Sequence, residues 1–107
     1  MRNAVDVVET DPDAAFALAS KYLDDNPDDG YAKFVLGYLY LKGGKWGIAY
    51  ALFSQCTQYG SETYNNMGMC IDTVQPFKSV ELFKKALELD ATNNLARINL
   101  AVAYMKC

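Results

Sequence analysis

In the segment Tyr31-Ala32-Lys33-Phe34-Val35-Leu36-Gly37-Tyr38-Leu39-Tyr40, one pattern stands out: Lys33-x-x-Leu36-Gly37-x-x-Tyr40. It returns as Tyr64-x-x-Met67-Gly68-x-x-Ile71, and again as Arg97-x-x-Leu100-Ala101-x-x-Tyr104. Leu36 and Met67 lie 31 positions apart, and Met67 and Leu100 lie 33 apart. A second pattern follows the first two copies: Ala49-x-x-x-Phe53-x-x-Cys56, then Ser79-x-x-x-Phe83-x-x-Ala86, with the two phenylalanines 30 positions apart. Self-similarity at such a period signals a repeat architecture, in which each unit is one supersecondary element.

The spacing inside each copy is helical. Residues four apart share a helix face, so Leu36 and Tyr40 form one stripe and Ala49, Phe53 and Cys56 another. Glycine at 37 and 68 costs a helix about 1 kcal/mol against alanine. Close approach of a second helix would compensate that cost. A small residue facing a small residue brings two helices together, and the aromatic then wedges between pairs. The expected repeat-packing set is therefore Leu36, Gly37, Tyr40, Ala49, Phe53, Cys56, Met67, Gly68, Ile71, Ser79, Phe83, Ala86, Leu100, Ala101 and Tyr104.

Punctuation along the chain places the elements. Asp11-Pro12 is an N-cap followed by proline in the first helical turn. Asn26-Pro27-Asp28-Asp29-Gly30, Gly43-Gly44 and Asp90-Ala91-Thr92-Asn93 are breaks. Helices are expected over about 13–25, 31–42, 46–58, 62–73, 77–89 and 94–106, with a helical stub at Asn3–Glu9. No stretch alternates apolar and polar residues for long enough to predict a strand.

The chain resembles the tetratricopeptide repeat (TPR) family, whose pattern runs aromatic, Leu-Gly, Tyr, then Ala, Phe, Ala and Pro. The resemblance covers residues 13–27 as a lone second helix, 30–58 and 61–90 as repeats, and 94–107 as a lone first helix. Lys33 and Arg97 replace the opening aromatic, and no proline follows residues 58 or 90. It implies a single all-α domain, 1–107, of about six helices, built from antiparallel helix-turn-helix repeats stacked as a short right-handed α-solenoid. The last helix would have one face, that of Leu100, Ala101 and Tyr104, exposed on one side.

Family members bind peptides on a concave surface formed by the first helices of each repeat. Carried onto this chain by helical spacing, that surface holds Phe34, Val35, Tyr38, Leu41 and Lys42, then Asn65, Asn66, Met69 and Thr73, then Leu95, Ile98, Asn99 and Val102. Asn66 and Asn99 hold matching places, and an asparagine amide can both donate to and accept from a peptide backbone. The resemblance implies an asparagine ladder there. The basic clamp that some members use for terminal carboxylates is missing, since Phe34, Tyr38 and Leu95 stand in its places. An apolar peptide or a partner helix is the expected ligand.

Composition sets the remaining expectations. The chain has 107 residues, 51% hydrophobic and 21% charged, with no histidine and three cysteines that form no C-x-x-C pair. Cys/His zinc sites and histidine-based catalysis are excluded. Residues 1–30 carry eight acids and two bases, and residues 31–107 five acids and eight bases. That spread, with a pI near 4.7, does not make a nucleic-acid stripe. Gly43-Gly44-Lys45 lacks the hydroxyl residue a phosphate loop needs, since Trp46 follows. A calcium loop starting at Asp24 would need glycine sixth and glutamate twelfth, and those places hold Asp29 and Val35. The reading is a non-enzymatic, cytoplasmic protein-interaction module without cofactor, metal, nucleic acid or membrane. Its partner would be a protein or peptide. Two alternatives are self-association through the uncovered last helix, and a recruiting arm of a larger enzyme such as a transferase.

Overall fold

The computed structural model describes residues 11–107; the expected stub at Asn3–Glu9 lies outside them. Among the described residues every regular element is helical. The chain divides into two compact units at Cys56/Thr57. The first holds α1 (Pro12–Asp25), α2 (Gly30–Lys42) and α3 (Trp46–Phe53). The second holds a 3-10 turn (Thr57–Tyr59), α4 (Ser61–Ile71), α5 (Pro76–Leu89) and α6 (Asn94–Lys106).

Local chemistry starts these helices where they start. Asp11 Oδ1 accepts the Ala14 amide at 3.1 Å, Asp29 Oδ1 the Ala32 amide at 2.9 Å, and Asn93 Oδ1 the Ala96 amide at 3.0 Å. Each supplies a partner for an amide that the first helical turn leaves open. Pro12 and Pro76 begin α1 and α5, where their missing N–H costs nothing.

The helix expected over 46–58 is shorter than its pattern suggests, and α3 stops at Phe53. Beyond it the backbone tightens, with Gln55 N bonded to Leu52 O and Cys56 N to Phe53 O. Ser54 Oγ and Gln55 Nε2 both take the Ala51 carbonyl, and Cys56 Sγ takes Leu52 O at 3.1 Å. These side chains compete with the next helical turn for its acceptors. Gly60, at φ 72°, then reverses the chain in a conformation that residues with a Cβ avoid.

Within each unit the helices pack in sequence order: α1 on α2 and α2 on α3, then α4 on α5 and α5 on α6, with α4 also touching α6. The pivot of each unit is a ring seated on a glycine. A Cβ at Gly37 would stand 2.9 Å from Phe53 Cε1. A Cβ at Gly68 would collide with Phe83 Cε1 and stand 2.8 Å from its Cδ1 and Cζ. Phe53 and Phe83 are buried, as are Ala49, Cys56, Ser79 and Ala86 beside them. Burying each ring contributes about 2–3 kcal/mol. Leu36 joins Ala15, Ala19 and Val35 in one apolar cluster, and Leu100 lies against Val80, Phe83 and Ala103 in the other. Tyr40 is half-buried, edge-on to Phe16 at 5.8 Å. Met67 and Ile71 are buried in the second unit.

Two members of the expected packing set are placed differently. Ala101 and Tyr104 are exposed, while Ala96 and Ala103 are the buried small residues of α6. α6 turns its alanine stripe toward α5, so the face carrying Ala101 and Tyr104 is left open.

Gly68→Ala should lower the unfolding free energy by about 1–3 kcal/mol, because the methyl group overpacks a buried ring. Gly47, in α3 with nothing within 4 Å of an added Cβ, gives the opposite sign: Gly47→Ala should stabilise by up to about 1 kcal/mol. Urea denaturation of both variants checks the pair.

Candidate functional site

The second unit brings α4 and α6 side by side along a seam of polar links. Asn99 Nδ2 donates to Asn65 Oδ1 at 2.9 Å, and Asn65 Nδ2 points to Met69 Sδ at 3.7 Å. At one end Asn93 Nδ2 donates to Ser61 Oγ at 2.8 Å, and Ser61 Oγ donates to Ala86 O at 2.7 Å. At the other end Lys106 Nζ pairs with Asp72 Oδ2 at 3.2 Å. The partners are separated by 32, 34 and 34 positions, the length of one repeat.

Beside this seam lies an apolar row. Leu95, Ile98 and Val102 fall on one face of α6 by the i, i+3, i+7 rule, and all three are exposed. Met69 of α4, one turn past Asn65, is exposed as well. Isolated exposed aliphatic side chains need no explanation, whereas three on one helix face form an apolar strip. Ile98 is 60% exposed and its neighbour Asn99 is half-buried, so the row stands above the amide pair.

The remaining expected site residues separate into two kinds. In the first unit Lys42 is exposed and its Nζ lies 5.6 Å from the ring of half-buried Tyr38. Phe34 and Val35 are corrected: both are buried, 5% exposed each, so neither offers a ligand a surface. Phe34 sits edge-on to Phe53 at 5.6 Å, and Val35 belongs to the Ala15/Ala19/Leu36 cluster. Burial of an aromatic and a β-branched residue outweighs any surface role for them. Asn65 and Asn66 are corrected too: at 3% and 6% exposure both are buried, so neither amide is open to a peptide backbone, and Asn65 Oδ1 instead accepts from Asn99. Ser61, Asn93, Asp72 and Lys106 were not singled out from sequence; their repeat-length spacing is the signal that would have found them.

The thiols of Cys56 and Cys70 are buried packing groups, while Cys107 is exposed. Cys56 Sγ also donates to Gly30 O at 3.3 Å, and burial raises its pKa against the lowering effect of Lys33. Burial, with Asp72 adding to it, pushes the Cys70 thiol up to about 12. Among the described residues no group of three or more acids and cysteines converges to hold a metal ion. Nor, among them, is any helix long and apolar enough to cross a membrane.

The architecture is that of a known solved structure. The structure named MamA MSR-1 C2, of a TPR-containing protein, matches 96% of this chain with a TM-score of 0.78 and 21% sequence identity. The chain spans 62% of that structure's chain. No family model matches the sequence, and no curated protein matches it. The chain thus has an all-α, tetratricopeptide-like fold.

Asn99→Leu strands the Asn65 carbonyl oxygen, which is buried, and should cost about 1–3 kcal/mol. Replacing both residues by leucine removes donor and acceptor together and should recover most of that loss. A double-mutant cycle by chemical denaturation measures the coupling. Stability should also decline as pH climbs from about 8.5 toward about 12. The unfolded chain releases thiol protons there that the folded chain keeps. Cys70→Ala should flatten that part of the pH profile relative to the native protein.

Proposed function

We propose that this chain is a protein-interaction module that holds an apolar peptide or a partner's helix against the α4/α6 face. The observation that carries the reading is the exposed row Leu95, Ile98 and Val102, with Met69 alongside, mounted on the Asn65–Asn99 hydrogen bond. The seam fixes the spacing of the two helices, so the row meets a ligand without first being ordered. A preorganised surface of this kind loses less entropy on binding.

An apolar helix face would bury the row, with its i, i+3, i+4 and i+7 residues reaching between Met69 and Ile98. The free edge of the Asn99 amide is available to an extended peptide backbone. The fold supports the reading, since the tetratricopeptide-like neighbour points to interaction and assembly roles in place of catalysis. Nothing in this function uses the buried thiols or needs a cofactor.

A peptide-array screen followed by fluorescence anisotropy tests it. Ile98→Glu and Val102→Glu should each weaken the best binders by at least about tenfold, since each puts a charge into the desolvated contact. Lys45→Ala, outside the face, should leave them unchanged. Undiminished binding by both glutamate variants would place the interaction surface elsewhere.

A further inference from the structure

The amide of Asn65 is buried, and its two ends are served unequally. Oδ1 accepts from Asn99 Nδ2 at 2.9 Å, an ordinary amide–amide bond. Nδ2 meets the thioether of Met69, one turn further along α4, at 3.7 Å. A thioether sulfur accepts and never donates, so the amide turns its nitrogen to Met69 and its oxygen to Asn99. Sulfur is a weak acceptor, and a buried donor without a strong one carries most of its desolvation cost. The α4/α6 seam is therefore under-satisfied at one point, and Met69 stands at that point.

The same sulfur is within reach of solvent. Met69 is 39% exposed although α6 lies beside α4, whereas Met67, two positions earlier, is buried. A dissolved oxidant meets the thioether of Met69 in the folded chain and not that of Met67.

We propose that Met69 is an oxidation site, at which a peroxide converts the thioether to the sulfoxide and so tightens the α4/α6 seam. A lone pair of Sδ attacks one peroxide oxygen, the O–O bond breaks and an S–O bond forms. Sulfur gives up two electrons, and the second peroxide oxygen leaves as water with the proton of the first. The new oxygen is a strong acceptor, and rotation about the flexible methionine side chain brings it to Asn65 Nδ2. Methionine oxidation ordinarily disrupts packing. Here the sign is reversed, because the added oxygen completes a buried amide. It also turns the α4 member of the proposed binding face polar, a consequence that rests on the reading of that face given above.

The test uses the 107-residue chain with Met105→Leu and Cys107→Ser, which remove two further exposed sulfurs. After hydrogen peroxide treatment, peptide mapping by mass spectrometry should find one added oxygen on Met69 and none on Met67. Urea denaturation should show the folding constant of the oxidised chain raised by about fivefold. The Asn65 side-chain N–H signals should move downfield in NMR spectra. Met69→Gln, which carries an amide oxygen to the same place, should reproduce the gain without peroxide. Asn65→Asp keeps an acceptor for Asn99 and loses the donor, so in that variant oxidation should lower stability. The inference fails if Met69 in the folded chain resists peroxide, if its oxidation destabilises the parent, or if Asn65→Asp gains as much as the parent does. In the anisotropy assay the oxidised chain should hold apolar peptides at least about threefold more weakly. Unchanged binding by a chain that oxidises and stabilises as stated would overturn the reading of the face and leave the oxidation site standing.

Discussion

Each unit depends on a phenylalanine ring lying flat against a helix at a position that has no side chain. The rings of Phe53 and Phe83 occupy the volume that a Cβ at Gly37 or Gly68 would need. That contact sets how near the paired helices come, and the rest of the core follows from it. Ala49, Cys56, Ser79 and Ala86 are small because the helices are already close at those levels. Leu36 and Met67 are large because they fill the space beside the ring. Glycine's low helix propensity is the cost of this geometry, and the buried ring repays more than is lost.

Two of the jobs done by polar side chains set the alignment of the helices. Asp11, Asp29 and Asn93 begin helices, and the α4/α6 seam fixes which residue of one helix meets which residue of the next. Asn93 does both at once, capping α6 with its oxygen and reaching Ser61 with its nitrogen. The apolar row beside the seam is therefore held by directional bonds from beneath. Its exposure to water follows from placement, not from loose packing.

Most of the fold could be read from sequence because glycine, alanine and phenylalanine at helical spacing report close helix packing directly. Capping residues placed the helix starts for the same reason, since the bond they make is local. The candidate surface was less legible. Phe34 and Val35 sit on the side of α2 opposite the family stripe only if that stripe is narrow. In fact α2 is buried on two sides, between α1 and α3, and both residues turn inward. The pairing of Asn99 with Asn65 was hidden because neighbouring first helices meet one position out of register, which depends on the lateral offset of α4 and α6. The early end of α3 was hidden as well. Ser54 and Gln55 together occupy the Ala51 carbonyl and Cys56 that of Leu52, and no single one of the three is a helix breaker.

Helices that share one spacing pattern bring a hazard of their own, because a first helix could settle one turn away from its proper place. The three polar links between α4 and α6 act as a vernier against that error. A slip of a single turn would part Asn93 from Ser61, Asn99 from Asn65 and Lys106 from Asp72 together. Apolar contacts lack direction, so these three bonds add a positional check to the discrimination between the right and the shifted alignment, whatever small share of the total stability they supply.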